Sequence, residues 1–327
     1  MDRRQFIIGA AWAASGTAFA QAKVSIAGLF AGRIDDRGFM EAGYKGLTAA
    51  RDQLGVDIVY ADGVKPERAL LEEALRKLAS AKPALVVAHG GQNNEAARAV
   101  AAEFPDVSFV VTQGNVTGSN LASYEVLQEE SAFLAGMLAG LTTKSGVVGH
   151  MSGIRVVPGL KGRAAFANGV AHAAPGVKLL TNFSGNQDDS ELSKKIALAL
   201  ADAGADIIFT MLNAGRAGAV EACRERKIWQ IGNVGDWVAT APDVFIASAI
   251  ADSGLALFAA CEDVAKRTFK PGVIQKVGLS RPSAVRLQMA DSVPAAIRAR
   301  IDDAARDIVA GKLVVSTQWE GLEFANP

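Results

Sequence analysis

The segment Ile34–Leu47, I-D-D-R-G-F-M-E-A-G-Y-K-G-L, follows the apolar run Val24–Phe30 and starts a helical pattern. Phe39, Gly43, Gly46, Leu47, Ala50 and Leu54 recur at three- and four-residue spacing, marking one face of an amphipathic helix. The junction reads as the first strand-to-helix turn of an α/β domain. Ligands of open α/β sheets sit beyond the carboxyl ends of the strands, so paired acids and an aromatic at this turn predict a binding lip. Asp35 or Asp36 is equally placed to cap the helix, because a carboxylate there accepts the orphan N–H groups of the first turn.

The same alternation recurs along the chain. Strands at 56–60, 84–88 and 107–112 are separated by a helix running from Pro66 to Ser80, and by His89-Gly90-Gly91-Gln92 followed by a helix to Glu103. Repeated β-α units predict a parallel sheet covered on both faces. A short strand at 121–126 and a helix at 129–141, with small residues at Ala135, Gly136, Ala139 and Gly140, lead into a second series. Its strands fall at 146–151, 177–183, 206–211 and 228–232, with helices between them, and a further strand at 245–250 leads into a helix at 253–268. The expected architecture is α/β with two lobes: an N-terminal lobe at 21–127 and a C-terminal lobe at 128–252. The segment 253–327, with a strand at 273–279 and a helix at 294–310, returns across a hinge of several crossings and completes part of the first lobe.

Composition narrows the function. The 327 residues carry 34 basic and 34 acidic side chains, and no basic run is present, which argues against nucleic acid as the main partner. Residues 1–20 read as an export signal. Asp2-Arg3-Arg4-Gln5-Phe6 is a charged start with paired arginines, Ile7–Ala14 is apolar, and Ala18-Phe19-Ala20 is a small-x-small cleavage site. The pattern is of the twin-arginine type, and the apolar run is shorter than the ~18 residues a membrane span needs. No cysteine lies near the cleavage site to carry a lipid, so the mature protein is expected to be free in the periplasm. The two cysteines, Cys223 and Cys261, fall inside helical patterns. They read as buried thiols, with a disulfide as the alternative.

Motifs for chemistry are absent from the sequence. There is no G-x-S-x-G elbow, phosphate loop or dinucleotide fingerprint, and His89, His150 and His172 lie at no metal-ligand spacing. No cofactor, metal or catalytic residue is expected. A glycosidase-like pair among Asp35, Asp36 and Asp236 is the one enzymatic alternative. What remains is polar and aromatic residues at strand ends: Asp35, Asp36, Phe39, Gly90, Gln92 and Gln113 in the first lobe, and Ser152, Phe183, Asn213, Asp236 and Trp237 in the second. Facing one another across a cleft, they suit a flat, polar, uncharged ligand. Several have a structural alternative: Asp36 as a helix cap, Phe39 and Phe183 as core, and Asp236 and Asn213 as turn organisers.

The chain resembles the basic membrane protein family of ABC-transporter substrate-binding proteins, whose best-known members look like purine nucleoside receptors. The resemblance runs from about Lys23 to Leu313. It is carried by I-D-D-R-G-F at 34–39, E-E-S-A-F-L-A-G at 129–136, G-V-V-G-H-M-S-G at 146–153 and A-F-A-N-G at 165–169. G-A-D-I-I-F at 204–209, I-G-N-V-G-D at 231–236 and S-A-I-A-D at 248–252 follow in order. It implies the class I periplasmic binding protein fold, two Rossmann-like lobes that close on ligand, and an ABC permease as partner. By position it makes Phe39 the residue that stacks on a purine, Asp35 or Asp36 the acid that contacts the base, and Asp236 the acid that contacts ribose. Four departures stand out. Met40, still an expected ligand contact, replaces a family Asn; Val234 and Ala251-Asp252 replace an acidic and a commonly basic position; and the lipid-carrying Cys is missing.

The expectation is a monomeric receptor that delivers a purine nucleobase or nucleoside to a permease by hinge closure. An exported nucleoside or glycoside hydrolase and a ligand-reporting sensory protein are the rivals.

Overall fold

A computed structural model describes residues 23–327; the expected export signal lies outside the described residues. In chain order the first part comprises β1 (Ser25–Phe30), α1 (Phe39–Leu54), β2 (Asp57–Ala61), α2 (Arg68–Ser80), β3 (Leu85–His89), α3 (Asn94–Glu103), β4 (Ser108–Thr112) and β5 (Leu121–Val126). A 3-10 turn at Gly91–Asn93 leads into α3. The second part comprises α4 (Gln128–Thr142), β6 (Val147–Ser152), α5 (Val157–Ala173), β7 (Lys178–Phe183), α6 (Ser190–Asp202) and β8 (Ile207–Met211). It continues through α7 (Arg216–Arg226), β9 (Trp229–Val234), α8 (Trp237–Thr240) and β10 (Phe245–Ala251). Then come α9 (Ser253–Ala265), β11 (Ile274–Val277), β12 (Val285–Met289) and α10 (Ala295–Val309).

The strands form two six-stranded sheets, ordered β11-β5-β4-β3-β1-β2 and β12-β10-β9-β8-β6-β7. Every pairing is parallel except β12 against β10. The α/β two-lobed architecture expected from the alternating pattern is therefore what the chain adopts. The chain passes between the sheets three times, after β5, after β10 and between β11 and β12. Strand β12 and the short helix α8 were not anticipated. V-R-L-Q-M alternates too briefly to announce a strand, and its partner β10 lies far back in sequence.

Why these segments pair is visible in their burial. β3 is buried throughout, as a central parallel strand covered on both faces must be, while the edge strand β2 leaves Val59 and Tyr60 exposed. α4 carries almost no polar face because it is enclosed by α5, β10, β12 and α10. The α4–α5 crossing is set by glycines: a Cβ on Gly136 would run into the Phe166 carbonyl, and one on Gly169 into the Phe133 carbonyl. Small residues there let the two backbones touch. Cys223 and Cys261 are both buried and unpaired, and burial pushes each thiol up to about 12.

The C-terminal tail is sewn to the second lobe. Phe324 N–H donates to the Thr181 carbonyl on the edge strand β7 (2.7 Å), and Asn182 donates to the Phe324 carbonyl (2.8 Å). Glu323 pairs with both Arg155 and Arg163, and the Arg163 guanidinium lies 4.0 Å from the Trp319 ring centroid. The tail thus occupies part of the edge that β7 would otherwise present to another chain.

Candidate functional site

The carboxyl ends of the two sheets face each other across the interlobe cleft. Ala31 follows β1 and Gly91 follows β3. Ser152, Met211 and Val234 close β6, β8 and β9, and all five line one cavity of ≈ 100 Å³. This is where an open parallel sheet places its ligand, here duplicated so that each lobe contributes one wall.

Five of the expected residues come together there: Phe39, Met40, Gln92, Ser152 and Asn213. Phe39 is the first residue of α1, and its ring lies on the imidazole of His89, with centroids 4.2 Å apart and planes 21° from parallel. His89 is held from both sides. Its Nε2 is 2.9 Å from the Phe39 carbonyl, which can only accept, so Nε2 carries the proton and Nδ1 accepts from the Thr112 hydroxyl at 2.7 Å. The imidazole thus backs one face of Phe39. Ser152 Oγ lies 3.0 Å from His150 Nε2, and His150 Nδ1 lies 2.9 Å from Thr181 Oγ1. Asn213 spans the cleft, its Oδ1 accepting the Phe39 N–H at 3.3 Å.

The other expected residues lie elsewhere. Asp35 is exposed and ion-paired with Arg33 (2.8 Å). Asp36 is buried as the cap of α1, accepting from Gly38, Met40 and Glu41 N–H at 2.8, 3.1 and 3.0 Å. Burial raises its carboxyl above the ordinary value, and the three N–H donors partly offset this. Gly90 sits behind Gly91 and Gln92, at φ 106°. Gln113 clasps the Val126 peptide, donating to its carbonyl at 3.0 Å and accepting its N–H, and so braces the first crossing. Phe183 lies behind the wall, between Arg155 and Arg163 (4.8 and 5.3 Å to its centroid) and against Gly159.

Asp236 and Trp237 line a separate, larger groove of ≈ 750 Å³ on the flank of the cleft, with Arg37, Glu41, Lys45, Asp252 and Arg286. Asp236 caps α8 by accepting the Ala239 N–H (3.2 Å), and the Trp237 indole donates to the Asn233 carbonyl (2.9 Å). This groove is charged with both signs, whereas the inner cavity is not.

Sequence reasoning missed the polar residues Gln128, Gln187 and Asn233. Together with Gln92, Ser152 and Asn213 they make the polar lining of the cavity wholly neutral. Val234 beside them has φ 70°, the only β-branched residue among the described positive-φ positions, and such strain concentrates at ligand sites. Among the described residues no cluster of three metal-ligating side chains occurs, and no helix is long and apolar enough to cross a membrane.

Two buried imidazoles give the site a pH signature. Burial pushes His89 down to about 4 and His150 down to about 3, while an unfolded histidine titrates near ~6.5. Below that value only the unfolded chain takes up these protons, so stability present above pH ~6.5 is lost as pH falls. The expected loss between pH ~6.5 and ~5 is about 2 kcal/mol per histidine, read from denaturant unfolding at the two pH values. Asp36 and Glu129, whose carboxyls burial raises, contribute with the opposite sign, so replacing His89 with Asn isolates its share. Equal unfolding free energies at both pH values, with and without His89, would contradict the assignment.

Residues 23–316 match the Bmp family, described as PnrA-like ABC transporter substrate-binding proteins. The chain is 24% identical over 310 residues to basic membrane protein A2 of Borrelia garinii, covering 92% of this chain and 90% of that protein. It is 24% identical over 248 residues to a purine-binding protein of Brucella abortus, covering 73% of this chain and 68% of that one. A transcriptional activator protein of Bacillus subtilis, med, is 25% identical over 208 residues, a match spanning 64% of each chain. Among solved structures, an ABC transporter solute-binding protein from Aeropyrum pernix superposes with a TM-score of 0.80 at 20% identity, covering 91% of this chain and 94% of that one.

Proposed function

The chain belongs to the Bmp family of PnrA-like ABC transporter substrate-binding proteins, and from that membership we propose that it is an extracytoplasmic receptor for a purine-type ligand. A substrate-binding protein of this family takes a small molecule and serves an ABC permease. The finer reading rests on one observation: the Phe39 ring, backed by His89, lines a cavity whose polar groups are all neutral. An aromatic face stacks on any flat heterocycle. Uncharged amides and a hydroxyl supply hydrogen bonds without the desolvation cost of a buried unpaired charge. Similarity to a purine-binding protein supports the same class.

Residues of both lobes touch the ligand together only in the closed form, so binding shifts the population towards closure. Phe39, Met40, Gln92, Ser152 and Asn213 are the proposed contacts, joined by Gln128, Gln187 and Asn233. A micromolar affinity requires about 8 kcal/mol, within reach of one stack and a few buried hydrogen bonds. The protein is proposed to work as a monomer, released into the periplasm after cleavage of a twin-arginine signal at Ala20.

A nucleobase fits this reading better than a nucleoside. The cavity is smaller than the roughly 300 Å³ at which ligand pockets usually begin, and Asp236, the ribose-contacting position in the family, is engaged in capping α8. Asp236→Ala is expected to cost about 1 kcal/mol of stability through the lost cap and to leave nucleobase affinity within about threefold. Calorimetric titration with a nucleobase and its nucleoside, with chromatography of the recovered ligand, tests the function. Saturable binding with ligand returned intact supports a receptor; release of free base from the nucleoside would make it a hydrolase.

The similarity to a transcriptional activator favours one second reading, in which the same closure reports ligand to a regulatory partner rather than delivering it. Ligand-dependent capture of the cognate permease in detergent or nanodiscs separates the two.

A further inference from the structure

The two asparagines on the second-lobe wall are not free to choose which end of the amide they present. Asn213 Oδ1 accepts the Phe39 peptide N–H (3.3 Å), and Asn233 Oδ1 accepts from Arg216 Nη2 (2.6 Å). A peptide N–H and a guanidinium are donors only, so each contact demands the oxygen and forbids the flipped amide. We propose that Arg216 and the Phe39 peptide lock Asn233 and Asn213 with their NH2 groups towards the cavity, so that the second lobe selects a ligand edge carrying hydrogen-bond acceptors. The inference rests on the purine-type reading and adds the polarity of the ring edge to it.

Arg216 is built to hold that position. It is the largest fully buried side chain among the described residues, 2% exposed, and lies in the first turn of α7. Its guanidinium donates to the Thr210 carbonyl (3.4 Å), the Thr210 hydroxyl (3.3 Å) and the Leu212 carbonyl, and the Trp237 ring covers it at 4.3 Å. None of these partners is an acid, which is an unusual placement for a buried cation. A purely structural role would be served as well by an apolar side chain. What the cation adds is a donor that Asn233 cannot refuse. Trp237, outside the cavity, then has a role in the site as the lid over Arg216.

Neither Nδ2 bonds another described residue, which leaves four N–H groups for a ligand. The Gln92, Gln128 and Gln187 amides on the remaining walls have no such fixed partner among the described residues and can turn either way. Acceptor selection is therefore confined to the face formed by Asn213 and Asn233. Ring edges with two neighbouring acceptors, such as the O6 and N7 pair of a 6-oxopurine, match it. A 6-aminopurine offers one acceptor and one donor on that edge, and a donor against a donor leaves a buried group unpaired.

The test compares hypoxanthine and adenine by titration calorimetry on wild type, Arg216→Met and Asn233→Asp. Wild type is expected to bind hypoxanthine on the order of 10- to 100-fold more tightly. Asn233→Asp keeps a partner for Arg216 but faces the ligand with an acceptor, so the preference should vanish or invert. Arg216→Met frees the Asn233 amide, and the ratio of the two affinities should collapse to within about threefold; a merely structural residue would lower both affinities and leave the ratio alone. If Arg216→Met does not fold, Asn233→Asp decides. Equal affinities in wild type, a preference for adenine, or an unchanged ratio in Asn233→Asp would overturn the inference while the purine reading stands. Binding of neither base would overturn both.

Discussion

Gly38→Ala is expected to weaken ligand binding by about 100-fold while the ligand-free protein unfolds within a few degrees of wild type. Gly38 precedes α1 at the point where the first lobe meets the second. A Cβ built there lies 2.5 Å from Asn213 Oδ1 and 3.1 Å from Asn213 Cα, and a backbone atom cannot step aside as a long side chain does. The φ of Gly38 is −148°, outside the left-handed region, so the methyl acts through the residue it meets. On the proposed closure mechanism its cost falls on the closed state alone, because open lobes would present no Asn213 to clash with. A penalty of about 3 kcal/mol on closure divides the competent fraction by roughly 150. Titration calorimetry gives the affinity and scanning calorimetry the stability. A variant that binds as tightly as wild type would show that closure does not bring Gly38 against Asn213.

The second large effect belongs to Phe39. Replacing it with Ala removes the aromatic wall of the cavity, and loss of a single base–aromatic stack is worth about 1–3 kcal/mol, or roughly 5- to 150-fold in affinity. The same change strips the cover from His89 and opens a gap beside the first-lobe core, which Phe39 partly joins, so some stability is lost as well. Phe39→Leu separates the two contributions. Leucine restores most of the buried volume, where size-conserving apolar exchanges cost less than ~1.5 kcal/mol, but it offers no π face. Affinity should stay low in both variants while stability returns in the leucine one. Recovery of affinity with leucine would mean that the ligand needs an apolar wall there and not a ring.

Much of the architecture was legible because burial imposes periodicity. Parallel strands covered on both faces must be apolar throughout, and their helices must carry a three- and four-residue stripe, so Leu85–His89 and Phe39–Leu54 announced themselves. Strand β12 did not, since an edge strand that pairs antiparallel with a distant partner leaves only a five-residue trace. The site was legible in position more than in role. Asp36 and Asp236 each precede a helix, where a carboxylate serves the backbone or a ligand with the same sequence appearance. Only the geometry reveals that the backbone N–H groups claim them, three at Asp36 and one at Asp236. Gln128 opens α4, Asn233 lies near the end of β9 and Gln187 sits in the loop after β7; they gave no signal because an amide at an element end or in a loop looks like any other. Their significance comes from two lobes folding them towards one point. Phe183 shows the converse: a conspicuous aromatic at a strand end that buttresses the wall instead of forming it.

Binding of a flat, neutral ligand is tested most directly by a thermal-shift panel. Ligand that binds only the folded protein raises the melting temperature by mass action, by the equivalent of about 2.7 kcal/mol at a hundredfold excess over Kd. Nucleobases, nucleosides, neutral sugars and charged amino acids would be applied at equal concentration to the purified protein. A rise of several degrees is expected with at least one purine, abolished in Gly38→Ala and reduced in Phe39→Ala. A rise produced only by sugars or charged amino acids, with purines inert, would contradict it.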